Sequence, residues 1–373
     1  MNAPASGFPR PEIIVIGGGL VGSAIAYGLQ SVGKQTLMLD QGDVAFRAAR
    51  GNFGLVWVQS KGVDCPPYAQ WTWRSAEDWA GLNEDLTNLT NLDLSYRRPG
   101  GIQICLNDAE MHAKAASMDR LATHAQHIDY RMLDRKALDN LLPGLAPDVA
   151  GGCLCSGDGH VNPLALLRAL HAGFRSLGGE IRTGHEVSGI EHTAGTFQIK
   201  ASDAVFEAER VVIAAGLGTP KLAEMTGLNI SVRPQRGQNI ITERMQRFLP
   251  MPMSGIRQTD EGSVQIGETK EEVGFDDATT TSGLSAMAER AVRIFPHLGR
   301  ARMIRSWGAL RVMSPDGAPI YAQSRTVPGA FAAVCHSGVT LAAAHARILA
   351  PAIAEGTLPP DVMELGTERF AYA

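Results

Sequence analysis

The residues best suited to chemistry begin near the N-terminus. Gly17-x-Gly19-x-x-Gly22 follows a β-branched run, Ile13-Ile14-Val15-Ile16, and leads into an apolar segment that ends near Leu29. A strand, a glycine turn and a helix in this order put freed backbone amides and the positive helix end where they can hold a pyrophosphate. The first glycine permits the tight turn, the second lets the backbone approach phosphates, and the third lets helix and strand pack closely. Leu20 and Val21, at the head of the helix, belong to the same candidate cradle. Thr36-Leu37-Met38-Leu39-Asp40 reads as a second strand, with Gln41 just beyond it. Asp40, 18 residues past Gly22, can accept hydrogen bonds from both hydroxyls of an adenosine ribose and would repel a 2'-phosphate, which disfavours NADP. A glycine pattern alone could be an ordinary turn; the strand, helix and acid around it favour a dinucleotide.

Composition narrows the remaining classes. With 373 residues, 45% hydrophobic and 19% charged, the chain can bury one large or two moderate cores, which excludes disordered and fibrous proteins. A net charge of -4 without a dense Lys/Arg block lacks the attraction that dominates nucleic-acid binding, so no nucleic-acid partner is expected. Five scattered cysteines argue for reduced thiols and a cytoplasmic location. The apolar stretch from Ile13 to Leu29 mimics a signal peptide or a membrane span, but its glycines contradict both, and residues 1 to 10 read as a flexible tail. No histidine spacing gathers metal ligands, Cys153-x-Cys155 reads as a buried strand pair, and no Gly-x-Ser-x-Gly elbow is present, so neither a metal centre nor acyl chemistry is expected.

Two later segments return to the same site. Glu209 to Gly216 reads as a buried strand ending in Ala214-Ala215-Gly216, and Phe331 to Cys335 as another, leading through His336-Ser337-Gly338 into a helix from about Val339 to Ala354. An NAD domain with consecutive strands does not need such returns, whereas three distant strand ends can converge on one long cofactor. Asn162-Pro163 is a good N-cap and first helical position, followed at helical spacing by Leu167, Leu170, Phe174 and Leu177. Trp71, Trp73 and Trp79 are expected to pack a helix on the core or to form part of an interface.

With these segments in view, the sequence resembles the D-amino-acid oxidase superfamily of FAD-dependent amine oxidoreductases, which includes glycine oxidase and sarcosine oxidase. The resemblance is carried by the Gly17 to Gly22 loop with Asp40, by Arg50 to Leu55, Asp158 to Pro163 and Val211 to Gly216, and by Arg233 to Gln238 and Trp307 to Gly317. Gly51 to Trp57 and Cys335 to Leu341 are similar to the β-type subunits of bacterial opine oxidases and D-hydroxyproline dehydrogenases. The implied fold class is α/β: a Rossmann-like FAD-binding domain (11 to 90, 148 to 220, 325 to 373) interleaved with an α+β substrate domain containing an antiparallel sheet (91 to 147, 221 to 324).

The same resemblance implies roles for individual residues. Amides around Arg50, Gly51, Asn52, Gly54 and Leu55 would lie along the flavin ring, with a glycine-rich surface loop as the alternative, and Val187 would meet adenine through its backbone unless it is a plain strand valine. Ser337, Gly338, Val339 and Thr340 would aim a positive helix end at the flavin pyrimidine, Thr340 standing where sarcosine-oxidase-like members have a lysine. Arg311 would grip a substrate carboxylate in bidentate fashion, with a surface salt bridge as the alternative. His336 is a second candidate catalytic residue, although a packed or capping histidine is an equal reading. No obligatory general base is implied, since placement of the amine over flavin N5 for hydride transfer can supply much of the catalysis.

Two departures from the pattern bear on the electrons. Ala309 stands where sarcosine-oxidase-like members attach flavin through cysteine, so FAD is expected to be noncovalent. Gln265 stands where they place a lysine that promotes reaction with oxygen. The expected activity is therefore oxidation of the carbon-nitrogen bond of an amino acid derivative, an opine or a cyclic or secondary amino acid in preference, with electrons passed to a partner subunit; with no cluster-binding cysteines here, an iron-sulfur relay would reside on that partner. The alternatives are a D-amino acid or glycine oxidase producing hydrogen peroxide, a noncatalytic FAD-binding subunit, and an NAD-dependent reductase.

Overall fold

A computed structural model describes residues 10–42, 48–125 and 127–371, so the N-terminal tail apart from Arg10 lies outside the described residues. Short apolar runs bounded by glycine build a six-stranded sheet in the spatial order Ile320–Gln323, Ala330–Val334, Arg210–Ile213, Ile13–Ile16, Thr36–Asp40, Glu180–Thr183. Five of these strands are parallel, and Ile320–Gln323 adds an antiparallel edge. Ile13 to Ile16 pair with Arg210 to Ile213 on one side and with Thr36 to Leu39 on the other. Both faces of this central strand are covered, which explains why its side chains run apolar without alternation.

Helices cover one face. Leu20–Ser31 packs between Pro163–Ser176 and the C-terminal helical run. The contact at Gly28 is so close that a methyl group there would lie 2.1 Å from the Ala346 carbonyl oxygen. Asn162 caps Pro163–Ser176 as its sequence predicts, its side-chain oxygen accepting from the amides of Leu164 and Ala165. The tryptophans lie on a 25-residue helix, Pro66–Thr90, which buries Trp71 and Trp79 completely and ends at a left-handed Asn91.

A second layer is antiparallel. Arg233–Arg244 lies between Ser263–Gly267 and Met303–Met313, with Ile256–Gln258 at the edge. A bridge from Ile102 to Met253 connects it to a three-stranded sheet of Gly101–Cys105, Gly151–Cys155 and Tyr130–Asp134. Cys153 and Cys155 are buried in that sheet as a strand pair. Thr281–Ile294 covers this layer, which has its own apolar core around Ile240, Ile266, Leu142 and Phe295.

The C-terminal helix departs from expectation. Regular helix begins at Ala342, not at about Val339, and passes through a wide turn at His345–Leu349 before ending at Ala354. Ser75 of the tryptophan helix places its hydroxyl in the first turn, which sequence periodicity does not register. Among the described residues no helix is long and apolar enough to cross a membrane.

Candidate active site

A cavity of about 920 Å³ runs past the carboxyl ends of the parallel strands, where Ile16, Asp40, Ala214 and Val334 form part of its lining. At one end, the three glycines of the turn do different work. Gly17 has φ +112°, and a side chain there would come within 2.3 Å of the Ala214 carbonyl; one at Gly22 would come within 1.9 Å of the Gly17 carbonyl. These two glycines serve the packing of backbone on backbone. At Gly19 a methyl group would meet no protein atom within 4 Å, so this is the point where the backbone leaves room for a phosphate. Leu20 and Val21 line the cavity at the start of the following helix, whereas Gly22 lies behind the lining.

Asp40 also lines this end, and its carboxylate braces the turn: Oδ2 accepts from the Gly18 amide at 2.7 Å and Oδ1 from the Gly42 amide at 2.8 Å. Gln41, Glu186 and Val187 continue the lining, with Ala214, Ala215 and Gly216 nearby. These residues, drawn from four separated segments, fit the adenosine diphosphate half of FAD.

The middle of the cavity meets the Arg50 to Leu55 loop and the turn after Val334. Arg50 lies within the short helical turn Ala48–Gly51. Gly51, Asn52 and Leu55 line the cavity. Gly54 does not; with φ +91°, it turns the chain against Val161, and its amide donates to Asn52 Oδ1 at 2.8 Å. A side chain at Gly51 would collide with Ala309 Cβ at 2.1 Å, so a residue larger than glycine would force the loop off this strand. Ser337, Gly338, Val339 and Thr340 line the opposite part. Ser337 bonds to the Tyr68 hydroxyl. The Thr340 hydroxyl accepts from the Trp57 amide at 3.1 Å and donates to the Leu55 carbonyl at 3.2 Å, fastening this turn to the loop facing it. Burial pushes the Cys335 thiol up to about 12, so it stays protonated and is a poor nucleophile, which fits a noncovalent flavin.

The far end is charged. Arg311 projects from Met303–Met313, and its guanidinium occupies the space that a side chain at Gly237 would fill, 2.4 Å from such a methyl group. Nη1 donates to the carbonyls of Arg236 (3.2 Å) and Thr269 (3.0 Å), and Nη2 donates to Glu268 Oε2 at 2.7 Å. Arg311 is thus a mostly buried residue of the cavity lining, ion-paired to a half-exposed Glu268. Lys61, from the loop after Val58, donates from Nζ to His336 Nε2 at 2.9 Å. Burial, then the nearby Lys61, Arg311 and Lys270, hold His336 well below the usual imidazole range, so it is neutral and accepts that bond. Burial first, opposed in part by Glu268, pulls Lys61 down to about 8. Burial raises Glu268, but Arg311, Lys61 and Lys270 outweigh it and keep this carboxyl below its ordinary value.

Lys61, Glu268, Lys270 and Tyr68 escaped the sequence reading, because none lies at a diagnostic spacing. What singles them out is their meeting around one cavity.

Residues 12–352, most of the chain, match the description "FAD dependent oxidoreductase", the DAO family. The chain belongs to this family. Its members are FAD-dependent enzymes, and FAD is the cofactor of this chain. Among DAO relatives, an opine oxidase subunit of Rhizobium meliloti is 42% identical over 362 residues, which are 96% of this chain and 97% of that protein. The opine oxidase subunit of the same name from Agrobacterium tumefaciens is 40% identical over the same length, again 96% of this chain and 97% of the relative. In fold, the DAO chain is similar to the crystal structure of glycine oxidase from Geobacillus kaustophilus, with a TM-score of 0.87 and 24% identity over 96% of this chain and 98% of that one. The resemblance read from the motifs is therefore correct at the level of family, fold class and cofactor.

Proposed function

We propose that this protein oxidises the carbon-nitrogen bond of an amino acid derivative, a secondary amine such as an opine or a cyclic imino acid in preference, and hands the electrons to an acceptor other than oxygen. The observation that carries the reading is Arg311: a planar guanidinium, fixed by two backbone carbonyls and opening into the cavity that accommodates FAD. Such a group holds a substrate carboxylate and orients the carbon beside it. Glu268 already occupies one side of the guanidinium, so a substrate carboxylate shares or displaces that contact.

Bound FAD supplies the two-electron acceptor. The protein's own part is to bind and place the amine, since neutral His336 beside Lys61 favours an amine that has lost its proton. Oxidation gives an imine, which water hydrolyses to a carbonyl compound and an amine.

The acceptor follows from Gln265 and from kinship. Gln265 is buried, accepts from Arg257 at 3.1 Å and donates to Asn239 at 3.3 Å, so no ammonium is offered at that position. Two relatives of 40% identity or more are named as subunits, which favours a hetero-oligomer with an electron-accepting partner. Anaerobic mixing of the FAD-loaded protein with opines, prolines and D-amino acids, followed by flavin bleaching, tests the reaction. Mixing the reduced protein with oxygen tests the acceptor. Rapid reoxidation with release of peroxide would replace this reading with that of a simple oxidase.

A further inference from the structure

Arg257 is a buried cation without a counter-ion. It projects from Ile256–Gln258, and only 5% of its surface is exposed. Nη1 donates to the Val161 carbonyl at 2.8 Å and Nη2 to Gln265 Oε1 at 3.1 Å, while Nε, buried as well, has no partner among the described residues. No described carboxylate pairs with it. Asp260 pairs instead with Arg97 at 3.3 Å and Arg247 at 3.8 Å, and together with Glu261 it acts on Arg257 only from a distance. Burial, then Arg257 itself, holds His160 down to about 4, so that ring is neutral. Burial also pulls Arg257 down to about 10, which leaves it charged at neutral pH. A guanidinium taken out of water without a partner is costly, so the structure keeps it against a penalty.

The wall of the cavity stands directly in front of it. A methyl group at Gly54 would lie 3.2 Å from Arg257 Cζ, and the residues on either side, Phe53 and Leu55, line the cavity. Because a guanidinium only donates, the Gln265 side chain must turn its oxygen to Arg257 and its amide nitrogen away. That nitrogen donates to Asn239 Oδ1 at 3.3 Å, and Asn239 Nδ2 donates to the Gly51 carbonyl at 3.4 Å. Asn239 and Gly51 both belong to the lining. Two amide dipoles are thus aligned by the cation, positive end toward the cavity wall, and polarise one another.

We infer that Arg257 supplies a fixed positive charge to the flavin ring, directly and through Gln265 and Asn239, and so raises the reduction potential of bound FAD. Hydride transfer from an amine carbon brings the ring two electrons and one proton and leaves the amine as an iminium, so the ring gains one negative charge. A fixed cation behind the wall favours that charge and costs no reorganisation when it forms. Arg257 touches neither substrate nor cofactor and is a positioning residue for charge. Its effect depends on FAD alone and is independent of which amine is oxidised.

The test is the midpoint potential of bound FAD, measured spectroelectrochemically in the parent, Arg257→Gln and Arg257→Lys. At an effective dielectric of ~20, a unit charge close behind a redox centre shifts its equilibrium by about tenfold, which for a two-electron couple is about 30 mV. Arg257→Gln is expected to lower the potential by about that amount, and Arg257→Lys, which keeps the charge, to remain near the parent. An unmoved potential in Arg257→Gln overturns the assignment and leaves Arg257 as a brace for Val161 and Gln265. An equal fall in both variants overturns it too, because the hydrogen bonds of the guanidinium would then matter and its charge would not. Gln265→Glu gives Arg257 a counter-ion without removing it. Its potential is expected to fall by a similar amount, and an unmoved potential there overturns the assignment even where Arg257→Gln does not retain FAD.

Discussion

Ser75 and Thr340 are joined at the point where a backbone hydrogen bond of the C-terminal helix would otherwise close. Ser75 Oγ donates to the Thr340 carbonyl at 2.7 Å and accepts from the Ala344 amide at 3.1 Å, so one hydroxyl bridges the i to i-4 pair. Trp79 Nε1 reaches the same carbonyl at 3.0 Å and that of Val339 at 3.2 Å. The turn lining the flavin region is thus held by the tryptophan helix in addition to its own backbone bonds, such as that from the Leu341 amide to the Ser337 carbonyl at 2.9 Å.

Ser75→Ala removes that bridge and leaves the Ala344 amide without its partner, while Trp79 still holds the Thr340 carbonyl, at a cost of about 1–3 kcal/mol. Urea denaturation should show this loss together with weaker FAD retention. Unchanged stability and flavin content would mean that the turn closes without help.

The glycine turn predicts two different failures. In Gly22→Ala the methyl group meets the Gly17 carbonyl at 1.9 Å, so the apoprotein itself should lose about 1–3 kcal/mol through overpacking. Gly19→Ala meets nothing in the protein, so its apoprotein should melt within about 2 °C of the parent while FAD affinity falls. Thermal melts of both apoproteins alongside flavin titration separate the two effects.

Arg311→Leu should weaken carboxylate substrates by about 2–5 kcal/mol while FAD remains bound. The readout is kcat/KM for the best amine beside the flavin-to-protein ratio. Undiminished turnover would remove Arg311 from the substrate site.

Asp158 predicts a pH effect on stability. Its carboxyl is buried, accepts from the amides of Val58 and Gln59 and from Gln59 Nε2, and is pushed by burial up to about 7 from an ordinary 3.8. The folded protein therefore holds this proton more tightly than the unfolded chain. The stabilisation is full below about 4 and is lost as pH rises to about 7, a change on the order of a few kcal/mol. Asp158→Asn should flatten this part of the stability profile, and denaturation at pH 5 and pH 8 would show it. Parallel slopes in parent and variant would refute the assignment.

Much of the nucleotide half was legible because its signals are local. Ile13 to Ile16, the glycine turn, Thr36 to Asp40 and the Asn162 cap each follow from neighbours in the chain: β-branched runs, freedom at positive φ, and a side chain reaching amides two and three residues on. The sequence by itself therefore determined a dinucleotide cradle, and the convergence of its later strands pointed to FAD. Only the folded chain decided that Asp40 also braces Gly18, that Ser75 opens the last helix, and that Lys61, Glu268, Lys270, Arg311 and His336 share one cleft. Coulomb interactions and burial depend on distance through space, and strand pairing sets those distances between segments far apart in the chain.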